Sequence, residues 1–372
     1  MKRIPVVLAL LGGLGCLGSA PDAEEGEKHL LYVAAPGIRN LLEYGGSGIL
    51  VFDMDAGHRF VRRIQTDFMD GADKAGSPPE NVKGIAGSAR TGRLYVSTLT
   101  RMACLDLKTD RMLWVKRYPD GCDRMSISPD GGRLYVPTLE KDHWNVVDGA
   151  TGDLVTRVET RSGAHNTVWG SQGTRVYLGG LKSPMLKVAD ASTHQVCLEV
   201  GPFGGAVRPF TVNAAETLAY VCVNGCLGFE IGDLKTGKLL HRVEVPGVRP
   251  GPVKRHGCPS HGVGLTPDEK EVWVVDGFNQ EVHFYDNTSL PPRYRSSLKV
   301  REEPGWVTFS IDGRFGYPST GEVVDVRSKK VLALLTDEEG RGVLSEKMME
   351  VDFARGIPVR SGDQFGVGRA NP

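Results

Sequence analysis

One short segment concentrates metal-ligand chemistry: Arg255-His-Gly-Cys-Pro-Ser-His261. His256, Cys258 and His261 supply three soft or borderline donors within six residues, on a loop shaped by Gly257 and Pro259. Such a loop could wrap zinc or copper. It follows none of the regular zinc spacings, and the plain alternative is a rigid loop whose histidines bond backbone carbonyls. Other chemical signatures are missing from the sequence. There is no Gly-x-Ser-x-Gly elbow, no phosphate loop, no Cys-x-x-Cys and no Cys-x-x-Cys-His haem attachment. Covalent haem or quinone chemistry therefore has no support.

What positions that loop is a repeat. The template is Arg124-Met-Ser-Ile-Ser-Pro-Asp-Gly-Gly-Arg-Leu-Tyr-Val136, then His143-Trp-Asn-Val-Val-Asp148, then Thr151-Gly152 and Leu154-Val-Thr-Arg-Val158. It reads as strand, turn, strand, loop, strand, turn, strand, which is the four-stranded meander of a propeller blade. The Asp that ends the third strand recurs as Asp53, Asp106, Asp148, Asp190, Asp233, Asp286 and Asp325. Seven such positions predict an all-β, seven-bladed β-propeller of four-stranded antiparallel blades. Each Asp is expected to accept backbone N–H groups of the following turn, an architectural duty rather than a catalytic one. The first blade lacks an inner strand. Met349-Glu-Val-Asp-Phe-Ala-Arg-Gly356 aligns with Arg124 to Gly131, so a C-terminal strand is expected to complete blade one and close the ring.

Register turns scattered residues into a ring. The loop that leads into each inner strand faces the mouth of the central channel. In blades two to seven its last residues are Lys83, Asp123, His165, Arg208, His261 and Gly305, followed by Gly84, Arg124, Asn166, Pro209, Gly262 and Trp306. Loops on the same face carry Arg101, His143, Trp144, Lys182 and Asn279. A mostly basic mouth focuses anions, and Arg presents a fork to carboxylate or phosphate. His165 or His261 would serve as a general base, with Arg124 or Arg208 holding a developing oxyanion. Lys83, Asp123, Asn166, His143, Lys182 and Trp306 would contact the ligand. His256, Cys258 and His261 would hold a metal, with His165 as a fourth ligand. The plain alternative is a solvated pore rim. The other histidines (His29, His58, His194, His241 and His283) fall at strand edges or turns and read as surface residues.

The segment Ser128-Pro-Asp-Gly-Gly-Arg-Leu-Tyr-Val136, with Val147-Asp148 and Thr151-Gly152, resembles the YVTN-repeat family of bacterial extracytoplasmic propellers. The resemblance covers about residues 28 to 356. It implies a fold shared with lactonases and streptogramin lyases, and a family of binding, cell-surface and enzyme-like members. Fold alone does not choose among them.

Charge and address bound the rest. The chain has 372 residues with 45 basic and 45 acidic side chains, a balance that gives no support to a nucleic-acid binder. Residues 1–20 read as a secretory leader, with Lys2 and Arg3 before the apolar run Val6 to Leu11. Gly13-Leu-Gly-Cys16 is a loose lipobox that would acylate Cys16; Gly18-Ser-Ala20 offers ordinary cleavage instead. Residues 21–28 would be a spacer, 29–356 the propeller and 357–372 a tail packed on it. In Val223-Asn-Gly-Cys226 the Asn-Gly hairpin sets Cys222 and Cys226 on opposite faces, so the cysteines read as buried apolar residues rather than disulfides. The expectation is a monomeric envelope propeller, periplasmic or extracellular, that binds a small anionic ligand or an envelope protein and touches membrane only through Cys16. The alternative is a lyase or lactonase-like hydrolase, assisted by a divalent metal (zinc, copper, calcium or magnesium), acting on an anionic or carbonyl-bearing molecule.

Overall fold

Strands ending on Asp and separated by tight turns build seven antiparallel sheets arranged as the blades of a β-propeller. The computed structural model describes residues 1, 26–66 and 79–365. The leader, most of the spacer, Cys16 and the last seven residues lie outside the described residues. Among the described residues no helix is long and apolar enough to cross a membrane.

Blade three shows the unit: Ser126–Ile127, Arg133–Pro137, His143–Asp148 and Leu154–Glu159, from the channel outward. The aspartates behave as the repeat requires. Asp148 Oδ1 accepts the backbone N–H of Ala150 at 2.8 Å and of Thr151 at 3.1 Å. Asp53, Asp106, Asp190, Asp233, Asp286 and Asp325 each accept backbone N–H groups of their own turn in the same way. The second strand of each blade carries a fully buried ring: Tyr32, Tyr95, Tyr135, Tyr177, Tyr220, Trp273 and Tyr317. Several of their hydroxyls stitch one blade to the next. Tyr95 donates to Gly149 O at 3.0 Å, Tyr135 meets His194 Nδ1 at 2.6 Å, and Tyr317 meets His58 Nε2 at 2.9 Å across the ring closure. Two histidines expected at the surface are therefore interior. His58 is buried against Phe315 and Tyr317, and burial pushes its pKa down to about 4. His283 is fully buried beside Asp276.

The C-terminal strand Met348–Ala354 pairs antiparallel with Lys28–Ala35 and completes blade one, as expected from the sequence. The structure adds a fifth strand, Ile357–Ser361, on the channel side of that sheet. Arg355 and Gly356, both at positive φ, make the two-residue hairpin that produces it. The chain then runs up inside the channel. Thr308 Oγ1 donates to Asp363 O at 3.2 Å, Trp306 Nε1 to Gln364 O at 2.6 Å, and Thr211 Oγ1 to Phe365 O at 3.2 Å. Phe365 packs edge-on against Trp306 with ring centroids 5.5 Å apart. This segment divides the channel into two openings that share no lining residue, one of about 970 Å³ at the far face and one of about 700 Å³ at the mouth. None of the six described cysteines is disulfide-bonded; all but Cys197 are buried.

Candidate functional site at the channel mouth

Strand pairing defines the ring. Tyr135 faces Ser126 and Tyr32 faces Met349, so Met349 stands level with Ser126. Aligning blade one through its turn, as the sequence invites, puts Met349 level with Arg124 and is wrong by two residues. The cause is the short Arg355-Gly356 hairpin, which replaces the longer Ser-Pro-Asp-Gly-Gly turn. With the register corrected, the seventh ring position is Glu346 and the residue behind it is Lys347. Neither was singled out by sequence, although both immediately precede the closing strand.

The ring residues meet in two networks. In the first, Asp123 is fully buried between neighbours from the blades on either side. Its Oδ2 accepts from His165 Nδ1 at 2.5 Å, and its Oδ1 lies 3.5 Å from Lys83 Nζ and accepts the Arg124 backbone N–H at 3.0 Å. Burial pushes the Asp123 carboxyl up, but His165, Lys83 and Arg124 outweigh it and hold it well below the usual carboxylate range. Burial also lowers His165, helped by Arg124 and Lys83 and opposed by Asp123.

The second network centres on Glu346, whose side chain is 5 % exposed. Arg124 Nη2 donates to its Oε2, and Lys347 Nζ lies 2.8 Å from the same oxygen. Lys347 Nζ also donates to Gly37 O at 2.7 Å. Despite burial, Lys347 and Arg124 keep the Glu346 carboxyl well below its ordinary value. Burial pulls Lys347 down to about 7, reinforced by Arg124 and Lys83 and resisted by Glu346. The guanidinium of Arg124 stacks on Trp306, with Cζ 4.6 Å from the ring centroid. His256 and His261 lie stacked at 4.6 Å, with His256 Nδ1 3.2 Å and His261 Nδ1 3.8 Å from Glu346 Oε1. Gly305, the ring position on blade seven, makes room for them: a Cβ there would stand 2.1 Å from His256 Cε1. Burial lowers both imidazoles.

Ligand atoms of His256, His261 and Glu346 lie within 4.8 Å of one another. Their partners oppose a cation. Glu346 already neutralises Arg124 and Lys347, and His256 Nε2 sits 3.3 Å from Glu303 O. Cys258 does not join them: its Sγ donates to Ser260 O at 3.1 Å, and burial pushes the thiol up to about 12, far from thiolate. The residues do not fit a resident divalent metal.

The structure places the remaining candidates as follows. Lys83, Arg124, His165, Arg208, His256 and His261 line the mouth cavity together with Glu346 and Lys347. Arg208 sits at the rim, bonded to Asn224 Oδ1 at 2.6 Å and Gly257 O at 3.2 Å. Asn166 is fully buried behind His165, and neither amide atom has a protein partner. Trp306 lies outside the cavity lining: its ring stacks on Arg124 and its Nε1 donates to Gln364 O. His143 and Lys182 lie outside the cavity lining: His143 is 3.6 Å from Asp120, and Lys182 Nζ donates to Glu140 O at 2.8 Å.

No protein-family description and no curated protein matches the chain. Among solved structures it is similar to Kuenenia stuttgartiensis hydrazine synthase at 14 % identity and TM-score 0.58, over 76 % of this chain and 88 % of that one. It is also similar to the Myceliophteria thermophila Cps50 (Swd1) β-propeller domain at 10 % identity and TM-score 0.57, over 80 % of this chain and 96 % of that one. At such identities the likeness is one of fold. Fold and site together define a seven-bladed β-propeller whose tail-plugged channel presents a buried, charged mouth.

Proposed function

We propose that the channel mouth binds a small anionic ligand. One observation carries this reading: two buried basic side chains, Arg124 and Lys347, share one carboxylate oxygen of Glu346 beside the cavity. A buried charge without a counter-charge is costly, so an anion in the cavity would be stabilised where solvent is scarce. Lys83 and the rim residue Arg208 add basic groups at the opening. The seven-bladed ring supplies a rigid frame in which each ring residue comes from a different blade. In this reading the protein is an exported propeller of the YVTN-repeat kind, working as a ligand-binding component of the cell envelope.

Calorimetric titration with acetate, succinate, 2-oxoglutarate and inorganic phosphate tests the proposal. At least one of these anions should bind, and Lys347→Met, which removes the excess cation and keeps an apolar chain of similar length, should weaken it by about tenfold or more. Failure of every anion, or unchanged affinity in Lys347→Met, would refute the reading.

A further inference from the structure

The Lys83–Asp123–His165 network does more than balance charge. Asp123 holds His165 Nδ1 at 2.5 Å, which places the ring proton on Nδ1 and leaves the lone pair on Nε2. Asp123 is itself fixed by Lys83 and by the backbone N–H of Arg124. Nε2 has no protein partner among the described residues, and His165 lines the mouth cavity. The charged and titratable groups that bear on this ring are Asp123, Lys83, Arg124 and His261. Among the described residues the lining contains no Ser, Thr, Cys or Tyr, so none of them sets a hydroxyl or thiol nucleophile beside this imidazole.

We propose that His165 is a general base that removes a proton from the carbon next to a carbonyl in the bound anion, with Asp123 as its positioning residue. The inference rests on the anion-binding reading above. The C–H bond breaks and its proton goes to Nε2. The electron pair left behind forms a carbon–carbon double bond, and the carbonyl π pair moves onto oxygen. The resulting enolate lies in the positive field of Lys83 and Arg124. Return of a proton from Nε2 to the same carbon re-forms the carbonyl and restores the base, so the step needs no oxidant, reductant or co-reactant. The ligand class is a small oxo acid, and the reaction class is proton transfer at carbon.

The test is deuterium wash-in from D₂O, followed by proton NMR, into pyruvate, 2-oxobutanoate and 2-oxoglutarate with the full chain. Wild type should exchange the protons on the carbon next to the keto group about 100-fold faster than His165→Ala. Added imidazole should restore part of the loss, which a merely misfolded variant would not show. Asp123→Asn should keep oxo-acid binding but change the pH profile of exchange, because the imidazole loses the anion that orients it. Equal exchange by wild type and His165→Ala while calorimetry shows the acids bound would overturn the proton-transfer role and leave anion binding standing. If none of the oxo acids binds, this inference is overturned; the anion-binding reading falls with it only where acetate, succinate and inorganic phosphate fail to bind as well.

Discussion

Two sets of carboxylates in this propeller are chemically alike and physically opposite. The seven aspartates that close the third strands sit at the outer turns and are satisfied by backbone N–H groups, as Asp148 is by Ala150 and Thr151. Asp123 and Glu346 sit at the channel mouth, buried, and are satisfied by charged side chains, drawn from other blades except for Lys347, which is Glu346's own neighbour. A local backbone partner exists wherever the repeat exists, so the first set is architecture. The charged partners of Asp123 and Glu346 do not recur from blade to blade, so the second set marks the place where the repeat is broken for another purpose. Buried charge gathered around a cavity is the arrangement expected of a functional site.

The contrast can be broken by mutation. Glu346→Ala strands Arg124 and Lys347 without a counter-charge and should cost about 3–5 kcal/mol of stability, read by denaturant or thermal unfolding. If Glu346→Ala costs no more than an outer-turn variant, the buried network is not what holds the mouth. Asp148→Ala removes one acceptor from two exposed turn N–H groups and should cost about 1 kcal/mol. Lys347→Met should be far milder than Glu346→Ala, since it leaves Arg124 and Glu346 as a matched pair.

Between pH 7.5 and 5.5 acidity should act on the buried histidines, those of the mouth and His58 at the first outer turn, and not on the outer-turn aspartates. Burial lowers His165, His256 and His261 below the ordinary 6.5, so the unfolded chain takes up protons there that the native chain refuses. Their contribution is intact above 6.5 and is lost as pH falls below it. Lys347, lowered to about 7 in the fold from 10.5, works in the same direction on the alkaline side. The melting temperature should therefore fall from pH 7.5 to 5.5, and an anion bound at the mouth should reduce the fall. A flat profile over that range would contradict the burial of these groups. The smallest expected effect concerns metal: extensive dialysis against chelator should leave the melting temperature unchanged. A drop of several degrees would restore His256, His261 and Glu346 as a metal site.

Much of this was legible in the sequence because it is periodic. The seven Asp positions, the blade count and the ring formed by Lys83, Asp123, His165, Arg208 and His261 all follow from one template. The closing strand was legible too. Its register was not, because the turn after Ala354 is shorter than the template's, and strand pairing, not turn position, sets which residues are level. That slip hid Glu346 and Lys347. Burial of His58 and His283 escaped notice because both depend on contacts between strands distant in sequence. Cys258 and the two histidines near it share a loop but point to different partners, which spacing alone does not reveal. The fifth strand and the tail in the channel come from a segment outside the repeat, where periodicity carries no information.

The central claim is that the mouth is an anion site. The direct measurement is an anomalous-difference map from a crystal soaked in bromide, collected at the bromine edge. The account predicts a bromide peak in the mouth cavity, bounded by Lys83, His165 and Lys347, that disappears in Lys347→Met. Bromide bound elsewhere on the surface with none in the mouth, or a mouth peak unchanged in Lys347→Met, would contradict it.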